Sequence, residues 1–204
     1  MVNRINLILV MFRFFSKNRN WILLNFPALF MALGLIINKS LYHDFIIYSG
    51  YIAISLLAIV LALNPLIVIF KSNIFLKRIN KHRRIIGVAV FTYASLHFLC
   101  YLVKKGGVIN ALSWLFHPIL LPGFIAFIIF AILAITSNNV SIRILAITRW
   151  RKLHKLVYLG EFFVIVHLLL WFVFDDRIRV LYALSAFVLL IMLQRKRYSI
   201  IKKR

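Results

Sequence analysis

Two histidines lie deep inside long apolar segments, where their residue type and position suit metal ligation. His97 follows Arg84 by 13 residues, about 20 Å along an α-helix, and His167 follows Lys155 by 12 residues, about 18 Å. A polar side chain inside a membrane is costly, so each histidine is a functional candidate. If both segments run outward from the cytoplasm, the two imidazoles reach a similar depth in the outer half of the bilayer. Two neutral imidazoles on facing helices are the ligands that a bis-histidine haem needs.

The helix faces around these histidines include small residues. Gly87 and Ala94 share a helical stripe with His97, and Gly160 lies one heptad before His167. Small side chains at these positions would leave room for a flat macrocycle. The alternative is ordinary small-residue helix packing around a hydrogen-bonded histidine. Zinc has less support, because no third and fourth ligand of the right type is near.

Two further polar residues lie closer to the cytoplasmic ends of the apolar segments. His154 precedes His167 by 13 residues, or about 20 Å along a helix. It indicates either a second redox centre near the inner face, with His82 as its only obvious histidine partner there, or an interfacial histidine near headgroups. Glu161 shares the face of His154. It indicates either proton or quinol chemistry, or a protonated acid hydrogen-bonded to a neighbouring helix.

The elements that position these residues are long apolar helices. The chain is 64% hydrophobic, with a mean hydropathy of +0.97, whereas a soluble domain is about 45–50% apolar. Apolar blocks of this length predict an all-α, polytopic integral membrane protein with six transmembrane helices in a single domain, residues 1–204. The predicted spans lie near residues 21–38, 45–70, 84–102, 118–137, 153–172 and 179–194.

The charge pattern predicts topology rather than nucleic-acid binding. The net charge is +22, but the basic residues form short clusters between the apolar blocks. With six spans, 21 of the 26 Lys and Arg residues fall on one side, and the positive-inside rule places both termini in the cytoplasm. No cleavable signal peptide is evident, and residues 1–15 are interpreted as an amphipathic lead-in. The single cysteine, Cys100, builds neither a disulfide framework nor a thiolate metal site.

Several of these residues belong to a recognisable pattern that covers roughly residues 44–172. The stretches that carry it are Arg83-Arg84-Ile85-Ile86-Gly87, Tyr93-Ala94-Ser95-Leu96-His97, Ala134-Ile135-Thr136-Ser137, Arg149-Trp150-Arg151-Lys152-Leu153-His154 and, beyond them, His167 and Trp171. This pattern resembles the MsrQ (formerly YedZ) family of the ferric-reductase-like transmembrane group. The match is specific, because histidines, arginines and a tryptophan all fall in register.

The resemblance implies a haem b subunit in the bacterial inner membrane. It implies that electrons come from the quinone pool or a cytoplasmic flavin reductase and pass to a periplasmic molybdenum-containing methionine sulfoxide reductase. It also implies FMN as a second cofactor. By motif, the implied haem ligands are His97, His154 and His167, and Arg83 and Arg84 match the paired arginines of the family.

The chain departs from the family pattern at three places. His117-Pro118 stands where the family usually has Arg-Pro, Leu145-Ala146 replaces the usual Leu-Gly, and Glu161 replaces an apolar residue. The second departure lies in a basic loop, where Arg149 and Arg151 together with the paired arginines could hold a flavin phosphate. The alternative is that these arginines only set topology.

Two other functions compete with the electron-transfer subunit. A ferric or other metal reductase would need a cytoplasmic flavin and nicotinamide domain, which these 204 residues do not contain. A non-redox membrane protein such as a transporter would be expected to show a broken-helix repeat pair, and none is evident. The predicted outer loops hold no acid–base pair or nucleophile, so no catalytic residue is assigned and we expect substrate chemistry on a partner protein.

Overall fold

Helices form nearly all of the backbone in the computed structural model of the chain, which describes residues 2–71, 73–175 and 179–202 and side chains over 19–71, 73–173 and 184–202. No strand occurs in those residues, which confirms the predicted all-α class. The helices are α1 (Val2–Ile37), α2 (Tyr42–Ile69), α3 (Ile74–Lys81), α4 (Arg83–Lys104), α5 (Val108–Ser113), α6 (Leu120–Ile135), α7 (Asn139–Leu153), α8 (Leu156–Asp175) and α9 (Arg179–Lys202).

Among the described residues, four helical segments are long and apolar enough to cross a membrane, and they confirm a multi-pass membrane protein. The segments are Arg19–Ile37, Lys39–Ile69, Arg83–Lys104 and Leu156–Val173, at the predicted first, second, third and fifth spans. The pair α6 and α7 passes as a fifth span only if it counts as one broken helix, because the two are bent by 105°.

The prediction of six spans stays a prediction. The predicted sixth span, near residues 179–194, lies within α9, but the first side chains of that helix are outside the described residues. The predicted amphipathic lead-in at residues 1–15 belongs to the continuous helix α1, and its side chains are likewise outside the described residues.

The bend between α6 and α7 has a local cause in the sequence. The hydroxyl of Thr136 donates back to the carbonyl of Ile132 at 2.7 Å, which competes with continuation of the helix. Asn138 then caps the next helix, since its Oδ1 accepts from the backbone N–H of Ser141 at 2.8 Å. The segment that the sequence analysis treated as a basic loop is therefore largely helical, as α7.

Two helix pairs form the frame of the molecule. α2 packs along α4 and α6 packs along α8, and these are the two largest helix–helix interfaces among the described residues. α9 lies against α2 and α8, and α1 lies against α4. The main core is apolar and includes Leu57, Leu61 and Phe187, each at most 2% exposed. One candidate histidine, His97, belongs to the first pair, and the other, His167, belongs to the second.

Candidate functional site

The two histidines predicted at matching depth line the same cavity. His97 on α4 and His167 on α8 both contribute to a cavity of about 410 Å³ between α2, α4, α6 and α8. That volume is within the range of about 300–1,000 Å³ that is usual for ligand pockets. Most of the remaining lining is apolar or aromatic, with Ala94 and Trp171 among the lining residues. The structure therefore brings together the pair that the sequence singled out.

Each imidazole is oriented by a backbone carbonyl of the neighbouring helix. Nδ1 of His97 lies 2.7 Å from the carbonyl oxygen of Ile46, and Nδ1 of His167 lies 2.7 Å from that of Ile119. A carbonyl only accepts, so Nδ1 carries the proton in both rings. Nε2 of each neutral imidazole then keeps its lone pair for a metal. A hydrogen bond from the other ring nitrogen is the usual support of a metal-ligating histidine.

A glycine makes room for each imidazole ring. This glycine lies four residues after the isoleucine whose carbonyl oxygen the ring bonds. A Cβ built on Gly50 would lie 3.0 Å from Nδ1 of His97, and one built on Gly123 would lie 2.9 Å from Nδ1 of His167. The two sites thus repeat one arrangement, Ile-x-x-x-Gly on one helix against histidine on the next. We call this arrangement the histidine cradle. Neither cradle was predicted from the sequence.

The small residues chosen from the sequence have different roles. A Cβ on Gly160 would lie 2.7 Å from Cε1 of Phe130, so this glycine allows α8 to approach α6 closely. A Cβ on Gly87 would meet nothing within 4 Å, and Gly87 does not line the cavity. Of these three small residues, only Ala94 lines the cavity, as the sequence predicted.

His154 lies outside this cavity, at the turn between α7 and α8. Its ring lies against that of Trp150, tilted by 34° with centroids 4.0 Å apart, and Nε2 lies 3.4 Å from the hydroxyl of Ser137. Nδ1 is buried and has no partner among the described residues. Burial, and then the nearby charge of Arg83, lower the pKa of His154 below its usual value. Both effects favour the neutral form of its imidazole.

His82, which the sequence offered as a partner for His154, faces a different helix. Its ring lies 3.3 Å from the side-chain amide of Asn20 on α1 and is exposed. The structure does not bring His82 and His154 together.

Of the four candidate arginines, Arg83 interacts electrostatically with His154. Arg83 is half-buried at the start of α4, close enough to interact electrostatically with His154, Tyr158 and Arg197. Nε of Arg197, which the sequence analysis did not single out, is buried without a partner among the described residues. Arg84 instead donates to Oδ1 of Asn139 at 2.8 Å.

The remaining two arginines, Arg149 and Arg151, are exposed on α7. Neither of them forms an ion pair with a carboxylate of the described residues.

Glu161 bonds a neighbouring helix, as one of its two interpretations expected. It is 5% exposed, and Nε2 of Gln194 on α9 donates to its Oε2 at 3.5 Å. Its Oε1 has no partner among the described residues. Glu161 does not line the cavity of His97 and His167.

The chain is similar to known membrane proteins over most of the residues that form the site. Residues 49–165 match the family described as ferric reductase like transmembrane component, a range that includes His97 and His154 and ends two residues before His167. No solved structure is significantly similar to the chain.

Three curated relatives illustrate the similarity. Magnetosome protein MamZ of Paramagnetospirillum magneticum is 32% identical over 154 residues, which is 70% of this chain and 22% of that protein. The protein-methionine-sulfoxide reductase heme-binding subunit MsrQ of Agrobacterium fabrum is 37% identical over 130 residues, 62% of this chain and 58% of that protein. MsrQ of Pectobacterium atrosepticum is 30% identical over 154 residues, 73% of this chain and 74% of that protein. The aligned region thus spans about a fifth of MamZ and somewhat over half of the Agrobacterium protein.

Proposed function

Because the chain belongs to the family of ferric reductase like transmembrane components and, within it, to the MsrQ proteins, we propose that it is a haem-binding electron-transfer subunit of the bacterial inner membrane. One observation carries this proposal: His97 and His167 line one apolar cavity, each with Nδ1 bonded to a carbonyl. The MsrQ relatives are named as heme-binding subunits of a protein-methionine-sulfoxide reductase, which supports the same cofactor here.

The residues of the cavity fit a b-type haem. His97 and His167 would hold the haem iron through their Nε2 atoms, and the surrounding apolar side chains suit a macrocycle. Phe98, Phe124 and Phe127 form a stacked aromatic wall, with centroids of Phe98 and Phe127 5.0 Å apart. Bound haem would supply a one-electron carrier. The chain itself would orient the two imidazoles, keep them neutral and exclude water.

The outer end of the cavity supports transfer of electrons toward the periplasm. Lys104, Lys105 and Trp114 line it, and Nζ of Lys105 lies 3.8 Å above the ring of Trp114. Lys104 ends α4 and the other two follow it, at the end of the helix opposite to Arg83, which the charge pattern predicts to be periplasmic. We propose that the acceptor is a periplasmic molybdenum-containing methionine sulfoxide reductase, and that substrate chemistry takes place there.

The starts of α4 and α8, which the charge pattern predicts to be cytoplasmic, support a flavin or quinol donor. We propose that FMN binds here with its phosphate near Arg83, because this guanidinium interacts with His154 and Arg197, which each have a buried nitrogen without a partner among the described residues. Arg84 contributes less, since it already bonds Asn139. Arg149 and Arg151 are exposed and would attract the donor by long-range charge.

Spectra of histidine variants test the haem site. His97→Ala and His167→Ala should each abolish the low-spin b-type spectrum, because either change would remove one of the two imidazoles that would hold the iron. His43→Ala is the matched control, since this exposed histidine should leave the spectrum unchanged. His154→Ala should also keep the low-spin signal, because His154 lies outside the cavity. Full, unshifted low-spin spectra in both cavity variants would rule out the ligand assignment.

Reconstitution tests the direction of electron flow. The protein, in liposomes, is supplied with a quinol or a reduced flavin, and reduction of the haem is followed before a periplasmic reductase is added. We expect reduction by the donor and reoxidation by the reductase. The family name favours a ferric reductase as the second candidate. Rapid reoxidation by ferric chelates, with none by any periplasmic partner, would establish that alternative instead.

A further inference from the structure

The cavity of His97 and His167 carries positive charge at one end only. Lys104 and Lys105 line it there, and its lining includes no arginine, aspartate or glutamate among the described residues. Lys104 is the last residue of α4, and Lys105 caps that helix. Most of the remaining lining is apolar or aromatic. The cavity therefore has an apolar body and a cationic end.

The cationic end is built by contacts between α4 and the segment that follows it. Nζ of Lys105 lies 3.8 Å from the centroid of the Trp114 ring, and that ring lies against His117 with centroids 5.8 Å apart. The hydroxyl of Tyr101 donates to the carbonyl of Ala111 at 3.1 Å, which holds α5 against α4. We give the name outer mouth to the lining residues at this end, which are Lys104, Lys105, Trp114 and His117.

The position of Lys104 relative to His97 follows from their common helix. Lys104 comes seven residues after His97, which is two turns, about 10 Å along the axis and nearly the same face. Side chains of an α-helix lean toward its N-terminus, so that of Lys104 leans toward His97. A ligand held by His97 would therefore meet the ammonium group of Lys104 at its outer end.

The described part of the chain does not neutralise either lysine. Neither Lys104 nor Lys105 forms an ion pair with a described carboxylate, and the ring that Lys105 contacts is uncharged. A cation at the edge of an apolar cavity attracts an anion more strongly than a cation in bulk water does. The outer mouth therefore suits a ligand with an apolar body and anionic groups at one end. A fatty acid would offer one carboxylate and no partner for the two imidazoles.

We propose that Lys104 and Lys105 each bind one propionate carboxylate of haem and so orient its propionate edge toward the outer mouth. This inference rests on the proposed function, which names haem but not its orientation. Haem has two carboxylates on one edge of an apolar macrocycle, and the cavity has two ammonium groups at one end of an apolar body. The reverse orientation would place both carboxylates among apolar side chains without a cation, at a high free-energy cost. The two lysines are thus positioning residues for the cofactor.

Binding of haem and of its dimethyl ester, in which both carboxylates are uncharged, tests this orientation. The full-length protein, produced without haem and placed in lipid nanodiscs, is titrated with each compound while the low-spin absorption spectrum is followed. The wild type should bind haem about a hundredfold more tightly than the ester, since each charged hydrogen bond contributes about tenfold. Lys104→Met and Lys105→Met should each weaken haem binding about tenfold and leave ester binding unchanged.

Control variants separate charge from packing. Lys104→Arg and Lys105→Arg keep the charge and should retain the preference for haem. Lys39→Met removes an exposed lysine outside the cavity and should behave as the wild type. Equal losses of haem and ester affinity in the Met variants would show a purely structural role and overturn the pairing. Equal affinities of the wild type for haem and ester would also overturn it, and this comparison requires no variant to fold.

The low-spin spectrum separates this inference from the proposed function. If the wild type gives that spectrum with both compounds at equal affinity, the proposed function stands and the orientation is wrong. If the wild type gives it with neither compound, the proposed function is wrong and the orientation falls with it.

Discussion

The orientation of His97 and His167 depends on backbone carbonyls and on glycines rather than on charged side chains. A carboxylate partner would add a buried charge to an apolar cavity, whereas a helix carbonyl is already present and neutral. The carbonyl is reachable only where the facing helix has no Cβ in the way. Gly50 and Gly123 provide this access. A Cβ built on either glycine would lie less than 3.1 Å from a ring atom of the histidine that it faces. Substitution of either glycine should therefore displace the imidazole that it faces.

Gly123→Ala tests the second histidine cradle. The added methyl would overlap Nδ1, Cε1 and Cγ of His167, all within 3.1 Å, so the rigid ring must move and its bond to Ile119 must lengthen. We expect a shifted or weakened low-spin spectrum and a loss of about 1–3 kcal/mol in stability. The control is Gly87→Ala, where the methyl meets nothing within 4 Å and should be neutral or slightly stabilising. Identical spectra in the two variants would contradict the role of the cradle.

The sequence identified the two candidate ligands but not the groups that orient them. A polar side chain inside an apolar span has a high free-energy cost, and this alone marks a histidine there as a functional candidate. His97 and His167 could therefore be selected without a structure. Gly50 and Gly123 lie more than 40 residues before their histidines, and nothing local marks them as partners. The repeated Ile-x-x-x-Gly spacing was the available signal. It gains meaning only when the pairing of α2 with α4 and of α6 with α8 is known.

At the scale of elements, α7 contains a strained residue in its interior. Ala146 adopts φ 57° and ψ 150°, a conformation that is nearly restricted to glycine and that kinks the helix. The MsrQ family, which the chain resembles, usually has glycine at this place in the motif. The departure seen in the sequence therefore coincides with backbone strain. It does not touch the cavity of His97 and His167.

Ala146→Gly should relieve this strain. Glycine reaches positive φ at no steric cost, so we expect a gain of roughly 1 kcal/mol in stability, seen as a higher midpoint in thermal unfolding of the purified protein. Ala131→Gly, in the regular interior of α6, is the matched control and should lose about 0.5–1 kcal/mol. A decrease in stability for Ala146→Gly comparable to that of the control would show that the kink is not strained.

The helix α7 also shows where sequence reasoning fails for an element. Its 15 residues mix apolar and basic side chains without a clear apolar face, and the described residues of α7 include no buried one. Periodicity therefore favoured a loop. The helix depends instead on local bonds, namely the cap at Asn138 and the Trp150 indole, which donates to the carbonyl of Thr136 at 2.9 Å. Long apolar helices were predictable because burial in lipid dominates their pattern.

For the whole molecule, the distribution of charge predicts the orientation in the membrane. Of 26 basic residues, 21 lie on the side of the two termini in the six-span topology. A reporter enzyme fused after Arg204 should therefore be active only if it functions in the cytoplasm, and one inserted near Lys105 only if it functions in the periplasm. Periplasmic activity of the C-terminal fusion would contradict six spans with both termini inside.

The internal bonds of the two helix pairs have a consequence for biosynthesis. The bond of His97 to Ile46 lies within the α2–α4 pair, and that of His167 to Ile119 lies within the α6–α8 pair. Each pair can therefore set the angle of its own imidazole while the chain is still emerging into the bilayer, before the other pair exists. The nascent protein would carry two prepared half-sites in order of synthesis. Capture of the cofactor would then clamp the earlier half to the later one, as the closing step of assembly.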